Sequence, residues 1–165
     1  LGAGAPDAVA IIRARAVAPA FRQVLAVDAA GRVAIHSGPR ALGVWAEAAG
    51  RDCAAGGNLL ADAGVPAAMV AGFEAARGHL GDRLVAALRA GLAAGGEAGP
   101  VRSAGLLLVR EVAWPVADLR VDWTEACPVA ALADLWALYA PQLDAYVTRA
   151  LNPEAAPSYG VPGDE

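Results

Sequence analysis

Residues 51–62 read Arg-Asp-Cys-Ala-Ala-Gly-Gly-Asn-Leu-Leu-Ala-Asp. The pattern predicts a strand that ends in two glycines and an asparagine, followed by an apolar, Ala-rich helix. Glycines at such a point permit positive φ or a close approach of backbone or ligand. Asn58 would then lie at a strand-to-helix turn, where its amide either caps the helix or holds a carbonyl oxygen. The residues alone favour the capping role.

The composition excludes several classes of protein. The chain has 165 residues, 57% of them hydrophobic, which suits one domain with its own core. All 13 basic residues are arginine, which excludes a Schiff-base lysine and a P-loop lysine in this chain. Its net charge of −4 and scattered arginines argue against nucleic acid as a partner. No apolar run reaches the length of about 18 residues that a membrane span needs, so we expect no membrane partner.

Cysteine and histidine are too few for most metal or disulfide chemistry. Cys53 and Cys127 are far apart and show no metal-ligand spacing, and His36 and His79 are the only histidines. We therefore expect no metal, no cofactor and a cytoplasmic protein in which both cysteines are small buried hydrophobes. Because Met69 is the only methionine, Leu1 is not a translation start, and we expect a processed product or part of a longer chain.

The predicted elements come in blocks, with the strands in antiparallel pairs. Helices are expected at 7–16, 66–77, 79–94 and 129–151, the last divided by Pro141, and strands at 21–29, 32–37, 44–48, 52–56, 103–112 and 119–123. The first hairpin would turn at Ala30-Gly31 and the second at Gly50. This order indicates an α+β fold rather than alternating βαβ units.

Two stretches suggest how the domain ends and what it lacks. Residues 103–112 are almost continuously apolar, which predicts a central strand covered on both faces. Such a strand needs neighbours on both sides, so we expect part of the sheet to lie upstream of Leu1. Residues 152–165 hold three prolines and two glycines. We therefore expect a domain over residues 1–151 and a flexible tail over 152–165.

Several short stretches between residues 21 and 138 occur in the order of a known family. They are Arg22-Gln23-Val24, Val27-Asp28-Ala29, Gly31-Arg32-Val33-Ala34, Ser37-Gly38, Gly57-Asn58-Leu59-Leu60-Ala61, Asp82-Arg83-Leu84, Ala94-Gly95-Gly96-Glu97, Ser103-Ala104, Asp118-Leu119-Arg120-Val121-Asp122 and Pro128-Val129. The chain thereby resembles the bacterial domain-of-unknown-function family 1028, which is placed in the Ntn-hydrolase (N-terminal nucleophile) superfamily. The Gly-Asn-x-Leu motif at residues 57–60 is part of that resemblance.

The resemblance implies an αββα sandwich of antiparallel sheets flanked by helices, lacking its first strands in this chain. It also implies acyl transfer, in which the nucleophile of an amide hydrolase lies on a segment upstream of Leu1. Asn58 is then the expected catalytic residue, as a donor to the tetrahedral oxyanion. A small-molecule substrate and a homo-oligomer, such as a homodimer through the terminal helix, are the expected partners.

Four further residues are candidates for substrate binding. Arg40, Arg102 and Arg120 could each fork onto a carboxylate, although a surface or intrasheet ion pair is the alternative for each. Ser103 opens the predicted central strand and could line a site, or its hydroxyl could simply be satisfied at the strand start.

Two other functions stay open from the sequence. Residues 99–102 and Trp123-Thr124 depart from the family pattern, which suggests a non-catalytic Ntn-like domain that binds a small molecule or scaffolds an oligomer. A processed subunit whose partner chain supplies the nucleophile is the third interpretation.

Overall fold

The secondary structure has the α+β order that the sequence predicts. The computed structural model describes residues 2–161 and 163. Its helices are α1 (Ala5–Arg15), α2 (Val65–Ala75), α3 (Leu80–Ala93), α4 (Pro128–Tyr139) and α5 (Leu143–Leu151), and its strands are β1 (Gln23–Val27), β2 (Val33–Ser37), β3 (Val44–Gly50), β4 (Cys53–Leu60), β5 (Ala104–Leu108) and β6 (Ala117–Val121). The α+β class is confirmed, and the chain divides into unit 1, residues 1–101, and unit 2, residues 102–165.

Two antiparallel hairpins form the sheets of unit 1. Strand β1 pairs with β2 over Gln23–Val27 and Val33–Ser37. The turn lies where Ala30-Gly31 predicts it, and Gly31 has a φ of 76°. Strand β3 pairs with β4, but the turn is at residues 51–52 instead of the predicted Gly50, which is the last residue of β3.

The prediction for Asn58 was wrong about its place in the fold. Strand β4 continues through both glycines to Leu60, so Asn58 lies inside a strand and not at a strand-to-helix turn. The residue that caps α2 is Gly64, so the capping role is wrong as well. Gly56 and Gly57 are opposite Glu47 and Ala46 of β3, and this tertiary pairing overrides the low strand preference of glycine.

Helices α2 and α3, both predicted from the sequence, pack together and contribute much of the core of unit 1. Val70, Phe73 and Val85 are all buried. The start of α3 is fixed by a capping box, in which the His79 side chain accepts from the backbone of Gly81 and Asp82 accepts from the backbone of His79. Its end is marked by two glycines at positive φ, residues 95 and 96, a common way for a helix to stop.

The carboxylate of Asp28 joins helix α1 to the first hairpin. Its Oδ2 accepts from the Ala5 backbone N–H at 3.1 Å and from Arg32 Nε at 2.8 Å. Its Oδ1 accepts from the backbone of Ala30 at 2.9 Å and of Arg32 at 3.1 Å. These donors favour the charged form, and the bond from Ala5 has the largest part in lowering the pKa of Asp28.

We expect Asp28→Asn to lower the thermal midpoint at neutral pH and to lose that effect in acid. The pKa of Asp28 is lowered in the folded protein, whereas an unfolded Asp has a pKa of about 3.9. Its stabilisation is therefore present above about pH 4 and lost as the pH falls through the folded pKa. Thermal unfolding between pH 7 and pH 2 measures this, with the exposed Asp118→Asn as control. A Tm difference that stays constant with pH would contradict the assignment.

Unit 2 contains one hairpin and the divided terminal helix. Leu106 and Leu108 of β5 are buried, whereas Leu107 is 57% exposed and Val109, just after β5, is 66% exposed. Among the described residues β5 pairs with β6 alone and one of its faces is exposed. The further neighbours that would make it a central strand are expected upstream of Leu1, and they stay a prediction. The strand covers residues 104–108 of the predicted 103–112.

Proline divides the last helix as predicted. A 3₁₀ turn over Ala140–Gln142 separates α4 from α5. The region expected to be a tail begins with a 3₁₀ turn at Pro153–Ala155, and the Tyr159 ring lies 6.0 Å from that of Tyr146. The expected domain boundary after residue 151 stays a prediction. Within the described residues, none of the helices has the length and hydropathy required to cross a bilayer.

Candidate functional site

A cleft in unit 1 brings together two residues that the sequence singles out. Arg40 and Asn58 both line it, and its volume is ≈ 240 Å³. This is below the range of about 300–1,000 Å³ typical of drug-sized ligands, so the cleft suits a small metabolite. The remaining lining residues are Phe21, Gln23, Ala41 and Leu42.

Asn58 lies on an irregularity of strand β4. Val44 pairs with Leu60 and Ala46 pairs with Gly57, so two residues of β4, Asn58 and Leu59, oppose one residue of β3. This is a β-bulge, which bends a strand and re-aims its side chains, and bulges are over-represented beside active sites.

The bulge is strained and held by its neighbours. Leu59 has a φ of 53°, a left-handed conformation that costs a residue with a side chain about 1–2 kcal/mol. Its N–H donates to Leu42 O at 2.9 Å and its carbonyl accepts from Ala98 N at 2.7 Å. Such strain persists where the surroundings enforce it, most often at functional sites.

Gln23 ties the strands beneath the cleft together. Its Nε2 donates to Ser37 Oγ at 2.9 Å and to Gly57 O at 3.0 Å, and lies 3.4 Å from Ala46 O. The carbonyl of Gly57 belongs to the peptide that leads into Asn58, so this amide fixes the start of the bulge. Sequence reasoning missed both Gln23 and Phe21, although Gln23 stands in the quoted Arg22-Gln23-Val24 stretch.

The loop that carries Arg40 is fastened to the start of β1. Gly38 N donates to Arg22 O at 2.8 Å, Arg40 N donates to Ala20 O at 2.8 Å, and Ala41 N donates to Gly38 O at 3.0 Å. Arg40 therefore extends from a backbone held by three hydrogen bonds, and only its side chain is free to adapt.

The side-chain polar groups of the two predicted cleft residues have no hydrogen-bond or ion-pair partner among the described residues. Within the described part of the chain, the half-buried Asn58 side chain makes no hydrogen bond and Arg40 makes no ion pair. The contact of the Arg40 guanidinium is with the Phe21 ring, at 5.7 Å from the centroid. The side-chain N–H groups of Asn58 and Arg40, which have no hydrogen-bond or ion-pair partner among the described residues, are available to a ligand.

The other predicted binding residues lie in unit 2. Arg102 pairs with Glu125 and lies 5.5 Å from the Trp123 ring centroid. Arg120 pairs with Asp122 at 3.3 Å, the alternative that the sequence offered. Ser103 is exposed, directly before β5. A role of these three in binding substrate stays a prediction.

Cys53 and His36 of unit 1 offer little further chemistry. Burial raises the pKa of the Cys53 thiol, which keeps it protonated and unreactive at neutral pH. His36 Nε2 lies 3.1 Å from Pro19 O and so has a backbone partner. The described residues contain no group of three or more His, Cys, Asp or Glu placed to hold a metal ion.

Comparisons with known proteins found a family model and a solved structure that match the chain. A family of unknown function, DUF1028, matches residues 1–132. The crystal structure of protein SPO2555 from Silicibacter pomeroyi, also assigned to DUF1028, is 30% identical and superposes with a TM-score of 0.76. The match covers 84% of this chain and 59% of that one, so this chain spans about three-fifths of the solved relative. No curated protein matches the chain.

Proposed function

Since this chain belongs to the DUF1028 family of unknown function, we propose that it forms part of an Ntn-type amidohydrolase that cleaves a small amide. The main support for this proposal is the Asn58 side chain. It lies on a strained bulge, lines the same cleft as Arg40 and makes no hydrogen bond among the described residues. The finer fold in this proposal is the αββα sandwich that the family resemblance implies.

The reaction in this proposal is acyl transfer. A side-chain oxygen or sulfur attacks the amide carbon, the terminal amine of the same residue takes its proton, and the amine product leaves with that proton. Water then releases the acid and restores the nucleophile. The Asn58 N–H donates to the carbonyl oxygen and binds it more strongly as negative charge develops there.

The nucleophile is proposed to lie outside the described residues. Around the cleft, the Ser37 hydroxyl accepts from Gln23 and the His36 ring contacts a backbone carbonyl, so the two do not form a nucleophile–base pair. Elsewhere in unit 1, Cys53 is a half-buried thiol whose pKa is raised by burial. A Thr, Ser or Cys on an upstream segment, or on a partner chain, completes the site in this proposal.

The test is the detection of an acyl-enzyme. The protein as produced by its own organism is incubated with N-acyl amino acids, product release is followed by NMR, and the intact mass is measured during turnover. We expect hydrolysis together with a transient acyl adduct, which peptide mapping places on an N-terminal Thr, Ser or Cys. Absence of hydrolysis across a broad panel of amides would reject the hydrolase.

A second function is supported by the same cleft. The cleft presents polar groups that have no hydrogen-bond partner, and the described residues around it contain no nucleophile–base pair. Both facts also fit a domain that binds a small molecule or scaffolds an oligomer. Large exposed side chains such as Trp123, 69% exposed, and Leu138, 70% exposed, would suit contact with a second copy of the chain. Ligand binding without turnover or acyl adduct would favour this alternative.

A further inference from the structure

We propose that the cleft selects ligands that carry a carboxylate, with Arg40 as the residue that binds it. This deepens the proposed function, because the carboxylate would belong to the amide substrate. The chemical class is that of N-acyl amino acids, in which an amide and a carboxylate are separated by one carbon.

The position of Arg40 suits carboxylate binding. Its backbone N–H is fixed to Ala20 O at 2.8 Å, and its guanidinium lies 5.7 Å from the centre of the Phe21 ring. An arginine over an aromatic face keeps its edge N–H groups free, and these groups match the two oxygens of a carboxylate. Within the described residues, no Asp or Glu forms an ion pair with the Arg40 guanidinium.

The Asn58 side chain in the cleft is suited to bind an amide group of a ligand. Asn58 can donate from its NH₂ and accept at its carbonyl oxygen, and neither group has an internal partner among the described residues. The Nε2 of Gln23 is already used on Ser37 and Gly57. In a cleft of ≈ 240 Å³, one small ligand reaches Arg40 and Asn58 together.

The net charge of the protein disfavours the binding of an anion, so a preference for a carboxylate would be a specific property of the cleft. The chain carries a net charge of −4, so the protein as a whole attracts anions poorly. A preference for a carboxylate must therefore come from a local cation. The exposed Arg51 provides a matched comparison, since it is also an arginine of unit 1 but pairs with Asp52 and does not line the cleft.

The experiment compares N-acetylglycine with its neutral counterpart N-acetylglycinamide. Isothermal titration of both against the wild type, Arg40→Gln and Arg51→Gln separates charge recognition from amide recognition. We expect the wild type and Arg51→Gln to bind the acid at least about tenfold more tightly than the amide, as a charge-assisted bidentate contact allows. Arg40→Gln should bind the two probes alike, and Arg40→Lys should recover part of the preference.

Several outcomes would overturn the proposal. These are equal affinity of the wild type for both probes, binding of neither probe, or a preference that survives in folded Arg40→Gln, with folding checked by circular dichroism. Failure of the hydrolase is distinguishable, because acid-selective binding without turnover keeps the carboxylate site and rejects only the reaction. Turnover of the acid and the amide at equal efficiency would instead keep the hydrolase and reject the carboxylate site.

Discussion

Asn58→Ala is expected to lower the rate of amide hydrolysis by about 10²–10³-fold while the protein stays folded. The loss follows because the side chain lines the cleft and makes no internal hydrogen bond among the described residues, so its N–H groups are free for the developing oxyanion. For the same reason its removal breaks no side-chain hydrogen bond among the described residues. Steady-state kinetics on an N-acyl amino acid, beside a thermal melt of each variant, gives both readings.

Two variants sharpen this prediction. Asn58→Asp keeps the shape of the side chain but replaces the donor with a carboxylate, so it should lose at least as much activity as Asn58→Ala. Asn152→Ala changes the one other asparagine, which follows α5 in unit 2, and should leave activity unchanged. Wild-type rates in Asn58→Ala, or a collapse of its folded state, would show that Asn58 acts in structure and not in chemistry.

Gly38→Ala is expected to destabilise unit 1 by about 3 kcal/mol, at the upper end of typical overpacking costs. A Cβ at this buried position would lie 2.2 Å from the Ala20 carbonyl oxygen and 2.5 Å from that of Pro19. Both are backbone atoms, which cannot rotate away as a side chain does. Urea unfolding measures the loss as a lower midpoint at unchanged slope.

The site should respond to the same substitution. Displacing Ala20 O weakens the hydrogen bond that it accepts from Arg40 N, so Gly38→Ala should also weaken the binding of N-acetylglycine. Gly99→Ala is the control, because a Cβ there meets no atom within 4 Å. If Gly38→Ala is as stable as Gly99→Ala, the close approach of the loop to residues 19–20 is not required by the fold.

Local signals in the sequence predicted most of the elements. The turn at Gly31, the glycines after α3 and the break at Pro141 each act over a few residues, so their consequences are visible in the sequence alone. The ion pair of Arg120 was likewise available as an alternative, since Asp122 is two residues away. Arg102 pairs instead with Glu125, 23 residues away, a partner that no local pattern indicates.

The cleft itself was only half predictable. Arg40 and Asn58 attract attention by residue type, but their shared cleft depends on contacts between distant segments. Gln23 acts on Gly57, 34 residues away, and no local pattern reports such a bond. The extension of β4 past its glycines likewise depends on pairing with β3, which outweighs local preference.

The bulge in β4 also bears on which members of the family share this site. A strand alternates its side chains with a period of two, and the bulge absorbs one extra residue, so that Gly57 and Leu60 keep their pairing with Ala46 and Val44 although they are three residues apart. Asn58 and Leu59 together oppose one residue of β3, so the site depends on one extra residue in this strand. Relatives whose strand is one residue shorter would retain the hairpin and its register but lose the bulge on which Asn58 lies. Strand length at this point, more than the presence of an asparagine, should therefore separate members of the family that share the site from those that do not.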